Sequence, residues 1–253
     1  MAAEQLLLSN LGLLDWEPAH TLIYIRQYSD TIRARRSDAE HFHPKYEALF
    51  DKLNPSVRLT PLGKLATLTK GIEVGSSAYA NSGTPFWRVS NLTKYGLDQD
   101  NLNYISNELY QALRGDYEPK QGELLLSKDA SPGIAFYLEL PIEGVVSSGI
   151  LRLTLTDAIP PYYLELVLNS IFVQLQMEQD SGGSVIKHWK PSSVRKTLIP
   201  RLTSSKEREI AILVQQSHTA RREAKSLLEK AKRAVEIAIE QGEGKALLYL
   251  EAR

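Results

Sequence analysis

The 253-residue chain contains no cysteine and carries no net formal charge, with 30 basic side chains against 30 acidic ones. The first absence excludes disulfides and thiolate metal sites, and fits a cytoplasmic protein. The second removes whole-chain charge as a signature of a nucleic-acid partner, so such a partner must be met by local clusters. No apolar run approaches the ~20 residues that span a bilayer as a helix. The N-terminal stretch EQLLLSNLGLL is interrupted by Ser9, Asn10 and Gly12, and reads as neither signal peptide nor membrane anchor. Also missing from the first 150 residues is a Gly-x-Gly turn after an apolar strand, the feature that lets a backbone approach a nucleotide-like cofactor.

Three textures divide what is present. Residues 1–55 hold no sustained strand pattern, but in DAEHFHPKYEALFDKL the side chains of Phe42, Tyr46, Leu49, Phe50 and Leu53 follow helical spacing and predict one short amphipathic helix. Residues 56–202 alternate short strand-like runs (PFWRVS, ELLLS, IAFYL, GVVSS, ILRLTL) with Gly, Pro, Asn and Ser. In the last of these, Leu151, Leu153 and Leu155 share one face and Arg152 and Thr154 the other, as in a half-buried strand. PPYYLELVLNSIFVQLQM reads as a single helix, because Leu164, Val167, Leu168, Ile171 and Leu175 recur at helical spacing. The middle region is therefore a mixed α/β domain, and the chain as a whole is α+β.

From Lys206 to Gln241 there is neither Gly nor Pro, and Ser204 with Glu207 forms a candidate capping box. One long helix over 203–242 follows, ended by Gly242 and Gly244, with 243–253 left as a tail. Ile210, Leu213, Ser217, Ala220, Ala224, Leu227, Ala231, Ala234 and Ala238 alternate by three and four, which is a heptad seam, and Leu228 and Val235 widen its stripe. A helix of ~36 residues is ~54 Å long at ~1.5 Å per residue, more than a domain of ~150 residues covers. Its alanine-rich seam therefore calls for a close-packed helix from a second chain, and Ile210, Leu213, Ala220, Ala224, Leu227, Ala231 and Ala238 are the candidate dimerisation residues.

Pro160-Pro161-Tyr162 has the outline of a DNA amino-methyltransferase motif, but the preceding position, where such enzymes place a hydrogen-bond acceptor for the target amino group, is Ile159. The prolines serve instead as a helix start, where a missing amide donor costs little. His41 and His43 stand two apart with no carboxylate pair to complete a metal site. DSGGS lacks the Gly-x-Ser-x-Gly elbow of a nucleophile. The chain thus reads as a non-enzyme without cofactor or metal.

Several segments in order match a known pattern: TPFWRVSNL (84–92), KQGELLLSKDASPGIAFYL (120–138), VVSSGILRLTL (145–155), PPYYLELVLNS (160–170) and GGSVIKHWKPSSVRKTLIP (182–200). Together they resemble the target recognition domain of type I restriction-modification specificity subunits. That family typically has an Arg-Val-Ser strand, a Gly-Asp-Ile-Leu strand and a later Gly-Ser…Lys-His-Ile loop. Here the last two are Gly122-Glu123-Leu124-Leu125 and Gly183-Ser184-Val185-Ile186-Lys187-His188-Trp189. The segment RRSDAEHFHPKYEAL is similar to the family's entry segment, and the long helix to its spacer. A departure lies at the helix start, where SKEREI stands in place of a common Glu-Gln pair. Another is number: a full-length specificity subunit has two recognition domains and two spacers, and this chain has one of each, as in half a subunit.

The resemblance implies a protein that directs a methyltransferase to its sequence without itself transferring a methyl group. It implies double-stranded DNA, methyltransferase subunits, a restriction subunit and a second copy of the chain as partners, and no membrane. Phosphate contacts position such a domain while polar side chains reach base edges. Lys187 to Arg201 supplies cations and serines without an acid, and the loop TKGIEVGSSAYANSGT offers small polar residues and glycines for close backbone approach. The candidate DNA contacts are Lys70, Ser76, Ser77, Lys128, Ser184, Lys187 and Lys190. The competing expectation is a structural or protein-interaction module assembled through the long helix.

Overall fold

The computed structural model describes residues 2–181 and 187–251. Packing separates the chain into one unit over Met1–Ala211 and a second over Ile212–Arg253.

The first unit begins with α1 (Ala2–Leu11), which buries Leu7 and Leu11 completely. Gly12, with φ of 79°, supplies the left-handed residue that ends it. After α2 (Tyr28–Ala34) the single helix expected near 38–53 is found as two pieces. Asp38 opens a 3-10 turn over Ala39–Phe42 by accepting from the His41 amide at 3.3 Å, and α3 (Lys45–Lys52) starts afresh after Pro44. Proline lacks an amide to continue the turn and holds the preceding His43 extended, so the spacing of the apolar residues outlasts the helix itself.

The strands follow: β1 (Arg58–Pro61), β2 (Ala66–Lys70), β3 (Thr84–Trp87), β4 (Leu92–Thr93), β5 (Gly96–Leu97) and β6 (Asn103–Ile105). Next comes α4 (Asn107–Tyr117), capped by the Ser106 hydroxyl, which accepts from the Leu109 amide at 3.2 Å. Then come β7 (Glu123–Ser127), β8 (Asp129–Ala130), β9 (Ala135–Tyr137), β10 (Val145–Val146) and β11 (Ile150–Leu155). The main sheet has the order β2-β11-β7-β9, antiparallel throughout, with Leu151 opposite Lys70 and Ile150 opposite Ser127. A second sheet, β10-β3-β6, pairs β10 parallel to β3. Between them lies a core of Trp87, Leu92, Leu125, Leu138, Val146 and Ile150.

β11 is not half-buried as its alternation predicts. Arg152 is only 5 % exposed, and its guanidinium donates to the carbonyls of Asp116 (2.8 Å) and Glu118 at the end of α4, with Glu123 close by at 3.7 Å. A cation buried against the free carbonyls of a helix C-terminus is held by charge-assisted hydrogen bonds, so the strand's polar face packs under α4.

The expected single helix over 160–177 is also two: α5 (Pro161–Asn169) and α6 (Ile171–Ser181). Ser170 breaks them by taking an extended conformation while its hydroxyl donates to the Val167 carbonyl at 2.7 Å. One turn apart on α5, Glu165 and Asn169 face the edge strand β9. The Glu165 carboxylate accepts from the Tyr137 amide (3.3 Å), and the Asn169 amide exchanges two hydrogen bonds with the Ala135 backbone (3.1 and 2.8 Å). The helix thereby pairs backbone groups that an open edge would leave free.

β12 (Lys187–His188), α7 (Pro191–Lys196) and β13 (Leu198–Arg201) complete the sheet elements, and β13 pairs antiparallel with β1. α8 (Ser204–Gln241) then begins, with Thr203 rather than Ser204 as its cap: the Thr203 hydroxyl accepts from the Lys206 amide at 3.4 Å, and Glu207 reaches back to the Leu202 amide at 3.1 Å. The Ser204–Glu207 box therefore does not form: Glu207 is bound instead to the Leu202 amide and to Arg201.

In the second unit the residues set apart as a tail carry α9 (Glu243–Glu251), entered through Gly242 at φ of 93°. It folds back along α8: Lys230 Nζ donates to the Leu250 carbonyl at 2.9 Å, and Ala234 and Ala246 are buried. No described helix is long and apolar enough to cross a membrane.

Candidate nucleic-acid interface

One end of the main sheet gathers segments far apart in sequence. β2 ends there at Lys70, β7 ends at Ser127 and β11 begins at Ile150. The Gly71 amide donates to the Ile150 carbonyl (3.1 Å), the Lys128 amide to Gly149 (2.8 Å), and the Trp189 amide to Lys128 (2.7 Å). Two glycines make this approach possible. A Cβ on Gly71 would stand 2.2 Å from the Ser147 carbonyl oxygen, and one on Gly149 2.7 Å from Val89 Cγ2.

From this end projects a two-stranded ribbon in which Lys187 of β12 faces Ala130 of β8 and His188 faces Asp129. Ala130 holds φ of 58°, a left-handed conformation that a non-glycine residue adopts only where its surroundings impose it. Trp189, 1 % exposed, anchors the ribbon's far side in the core, which turns Lys187, His188 and Lys190 outward. Lys70 is exposed at the same sheet end, and Ser76 and Ser77 are exposed in the 3-10 turn of the loop that leaves it. Of the expected contacts, the fold therefore leaves Lys70, Lys187 and Lys190 as exposed cations at the same end of the sheet, with the two serines on the adjoining loop. Ser184 lies outside the described residues.

Lys128 differs. It is 8 % exposed, and its ammonium is paired with the Asp129 carboxylate, so it supports the ribbon from beneath rather than offering a free cation. Asp129 and His188 are not among the expected contacts, yet they form the centre of the ribbon: His188 Nδ1 lies 2.8 Å from Asp129 Oδ1. Burial raises the pKa of the Asp129 carboxyl. The hydrogen bonds from Lys128 and His188 and the charge of Lys128 outweigh that effect and hold it below its ordinary value, so it is ionised at neutral pH. A single acid beside one lysine has no sequence period to mark it. The one available signal is the Lys128-Asp129 pair at the end of an apolar run.

Among the described residues there is no cluster of His, Cys, Asp and Glu suited to a metal ion. Ile159, at the position where an amino-methyltransferase needs a polar acceptor, is 3 % exposed and packed in the core.

On the candidate seam, Ala220, Ala224, Leu227 and Ala231 are exposed, Leu213 and Ala238 half-buried, and Ala234 is covered beside α9. Ile210 departs from the expectation: it is fully buried within the first unit, so its side chain is taken up by that unit's own packing and is not offered to a second chain.

No family model and no curated protein matches this chain. Solved structures do. The S subunit of a type I restriction-modification system from M. genitalium superposes with a TM-score of 0.50 at 12 % identity, over 74 % of this chain and 45 % of that one. A chain from a structure of type I R-M complex assembly and conformational transition gives 0.45 at 18 % identity, over 86 % and 54 %. The HsdS subunit from Thermoanaerobacter tengcongensis gives 0.42 at 18 %, over 76 % and 46 %. This chain thus spans about half the length of the solved structures it matches. Over the 74 % of this chain that superposes, its fold is that of the S subunit of a type I restriction-modification system.

Proposed function

We propose that the chain is a non-catalytic, sequence-specific DNA-binding subunit that directs the methyltransferase of a type I restriction-modification system to its target. The observation that carries this reading is the exposure of Lys70, Lys187 and Lys190 at one end of the sheet in a fold shared with an S subunit. Cations grouped in this way neutralise phosphates and set the register of a protein on the duplex.

The seam on α8 gives the reading its second half. Ala220, Ala224, Leu227 and Ala231 present a narrow apolar stripe, with exposed Leu228 beside it. Small side chains at alternate turns let a second helix approach closely. A second copy of this chain, paired antiparallel along Ser217–Ala231, completes it, since α9 occupies the stretch beyond. Two identical domains then read a bipartite site with inverted halves. Methyltransferase subunits dock on the paired helices and bring S-adenosylmethionine, and a restriction subunit joins them where the complex also cleaves.

Sequencing modified bases in the source genome, with and without this gene, tests the proposal. One interrupted motif should lose its methylation when the gene is removed. Unchanged methylation at every motif would favour a protein-interaction module, a role for which the exposed Leu227, Leu228, Val235 and Ile239 of α8 also suffice.

A further inference from the structure

The ribbon contains a polar arrangement that phosphate binding does not require. Asp129 is a carboxylate among Lys128, Lys187, His188 and Lys190, and negative charge at a phosphate-binding face weakens binding to DNA of any sequence. Both of its oxygens are engaged, Oδ2 by the Lys128 ammonium and Oδ1 by His188 Nδ1 at 2.8 Å. An ionised carboxylate only accepts hydrogen bonds, so the imidazole nitrogen facing it must carry a proton. In neutral imidazole that leaves Nε2 unprotonated, an acceptor. The His188 side chain is 62 % exposed, while its backbone is fixed by pairing with Asp129 and its neighbour Trp189 is locked in the core.

With the ring neutral, the ribbon presents an acceptor oriented by Asp129 and flanked by cations that would hold the backbone of a duplex. In the major groove the groups that donate to such an acceptor are the exocyclic amino groups of adenine and cytosine; guanine and thymine offer only acceptors there. We propose that His188, as the neutral imidazole, reads one base pair of the target as a hydrogen-bond acceptor for an adenine or cytosine amino group, with its proton placed on Nδ1 and its ring oriented by Asp129. This rests on the proposal that the ribbon faces DNA. Asp129 is accordingly a positioning residue, and it accounts for an acid placed where affinity alone would exclude one.

The test is selection of duplexes from a randomised pool by the full chain and by His188→Ala and Asp129→Asn, with thermal melting to check that each variant folds. Wild type should enrich a motif containing an adenine or cytosine on which His188→Ala loses about tenfold discrimination while the other positions keep theirs. In Asp129→Asn the amide can offer His188 either a donor or an acceptor, so the tautomer is no longer imposed. Discrimination should relax at that same position, while affinity for unrelated DNA holds or rises as a negative charge disappears. A wild-type motif left unchanged by His188→Ala, or weakened evenly at all positions in both variants, overturns the assignment and leaves the DNA-binding proposal standing. Failure of wild type to enrich any motif overturns both.

Discussion

Arg201 and Glu207 meet through a two-pronged ion pair, Nε to Oε1 at 2.7 Å and Nη2 to Oε2 at 2.9 Å, at the point where β13 gives way to α8. Glu207 is 2 % exposed and also accepts from the Leu202 amide. Its hydrogen bonds and charge raise the pKa of the Arg201 guanidinium. Removing one member of a buried pair leaves the other unsatisfied, at a cost of about 3–5 kcal/mol. Arg201 retains some access to water, which places Glu207→Ala near the lower figure, about 3 kcal/mol, in urea unfolding. Glu207→Gln, which keeps an acceptor, should lose less.

A second pair governs acid stability. Asp38 lies below its ordinary pKa because Arg36 donates to both of its oxygens, at 2.8 and 2.6 Å, an effect that exceeds its desolvation. A carboxyl whose pKa is lowered by folding contributes stability above its unfolded value, near ~4, and loses it as pH falls through the folded value. Glu40, lowered first by the Tyr46 hydroxyl and then by Lys45, acts in the same direction. The urea midpoint should therefore fall as pH is taken from about 5 to about 3. Asp38→Asn should begin about 1 kcal/mol less stable at neutral pH, a modest loss for a partly exposed pair, and fall less steeply on acidification.

For the proposed interface, Lys187→Ala with Lys190→Ala should weaken DNA binding and reduce the slope of log affinity against log salt. Each phosphate that is no longer neutralised takes about 0.9 from the steepness of that slope. Titration at several salt concentrations reads the change, and an unaltered slope would place both lysines away from the duplex.

Charges at Ala224 and Ala231 should abolish self-association. On a paired seam each glutamate would be buried without a partner, at several kcal/mol per ion. Light scattering should give a dimer mass for the wild type and a monomer mass for Ala224→Glu with Ala231→Glu; equal masses would remove the seam from the assembly. Duplicating the seven residues 224–230 keeps the heptad phase and adds ~10.5 Å to the helix. In an antiparallel pair that should lengthen the gap between half-sites by roughly three base pairs.

What the sequence announces, and what it conceals, follows from the range of each interaction. ELLLS and ILRLTL become β7 and β11 because their leucines, consecutive in the first and alternating in the second, carry their own burial. The long helix is legible because nothing from Lys206 to Gln241 interrupts it. Arg152 reads as a solvent-facing residue because the carbonyls that receive it, Asp116 and Glu118, belong to a helix more than thirty residues away. The break at Ser170 is hidden because serine is ordinary on a helix surface and acts here through one bond to Val167. In the site, Lys187 and Lys190 stand out as cations. The ribbon they sit on does not, since two-residue strands have no periodicity and their pairing depends on Trp189 docking beside Lys128.

The central claim is that this chain reads DNA sequence, and selection of bound duplexes from a randomised pool by the full chain tests it most directly. The account predicts enrichment of one motif made of two identical, inverted halves at a fixed separation. A pool that stays random after repeated rounds, in the presence of DNA binding that salt alone abolishes, would contradict it.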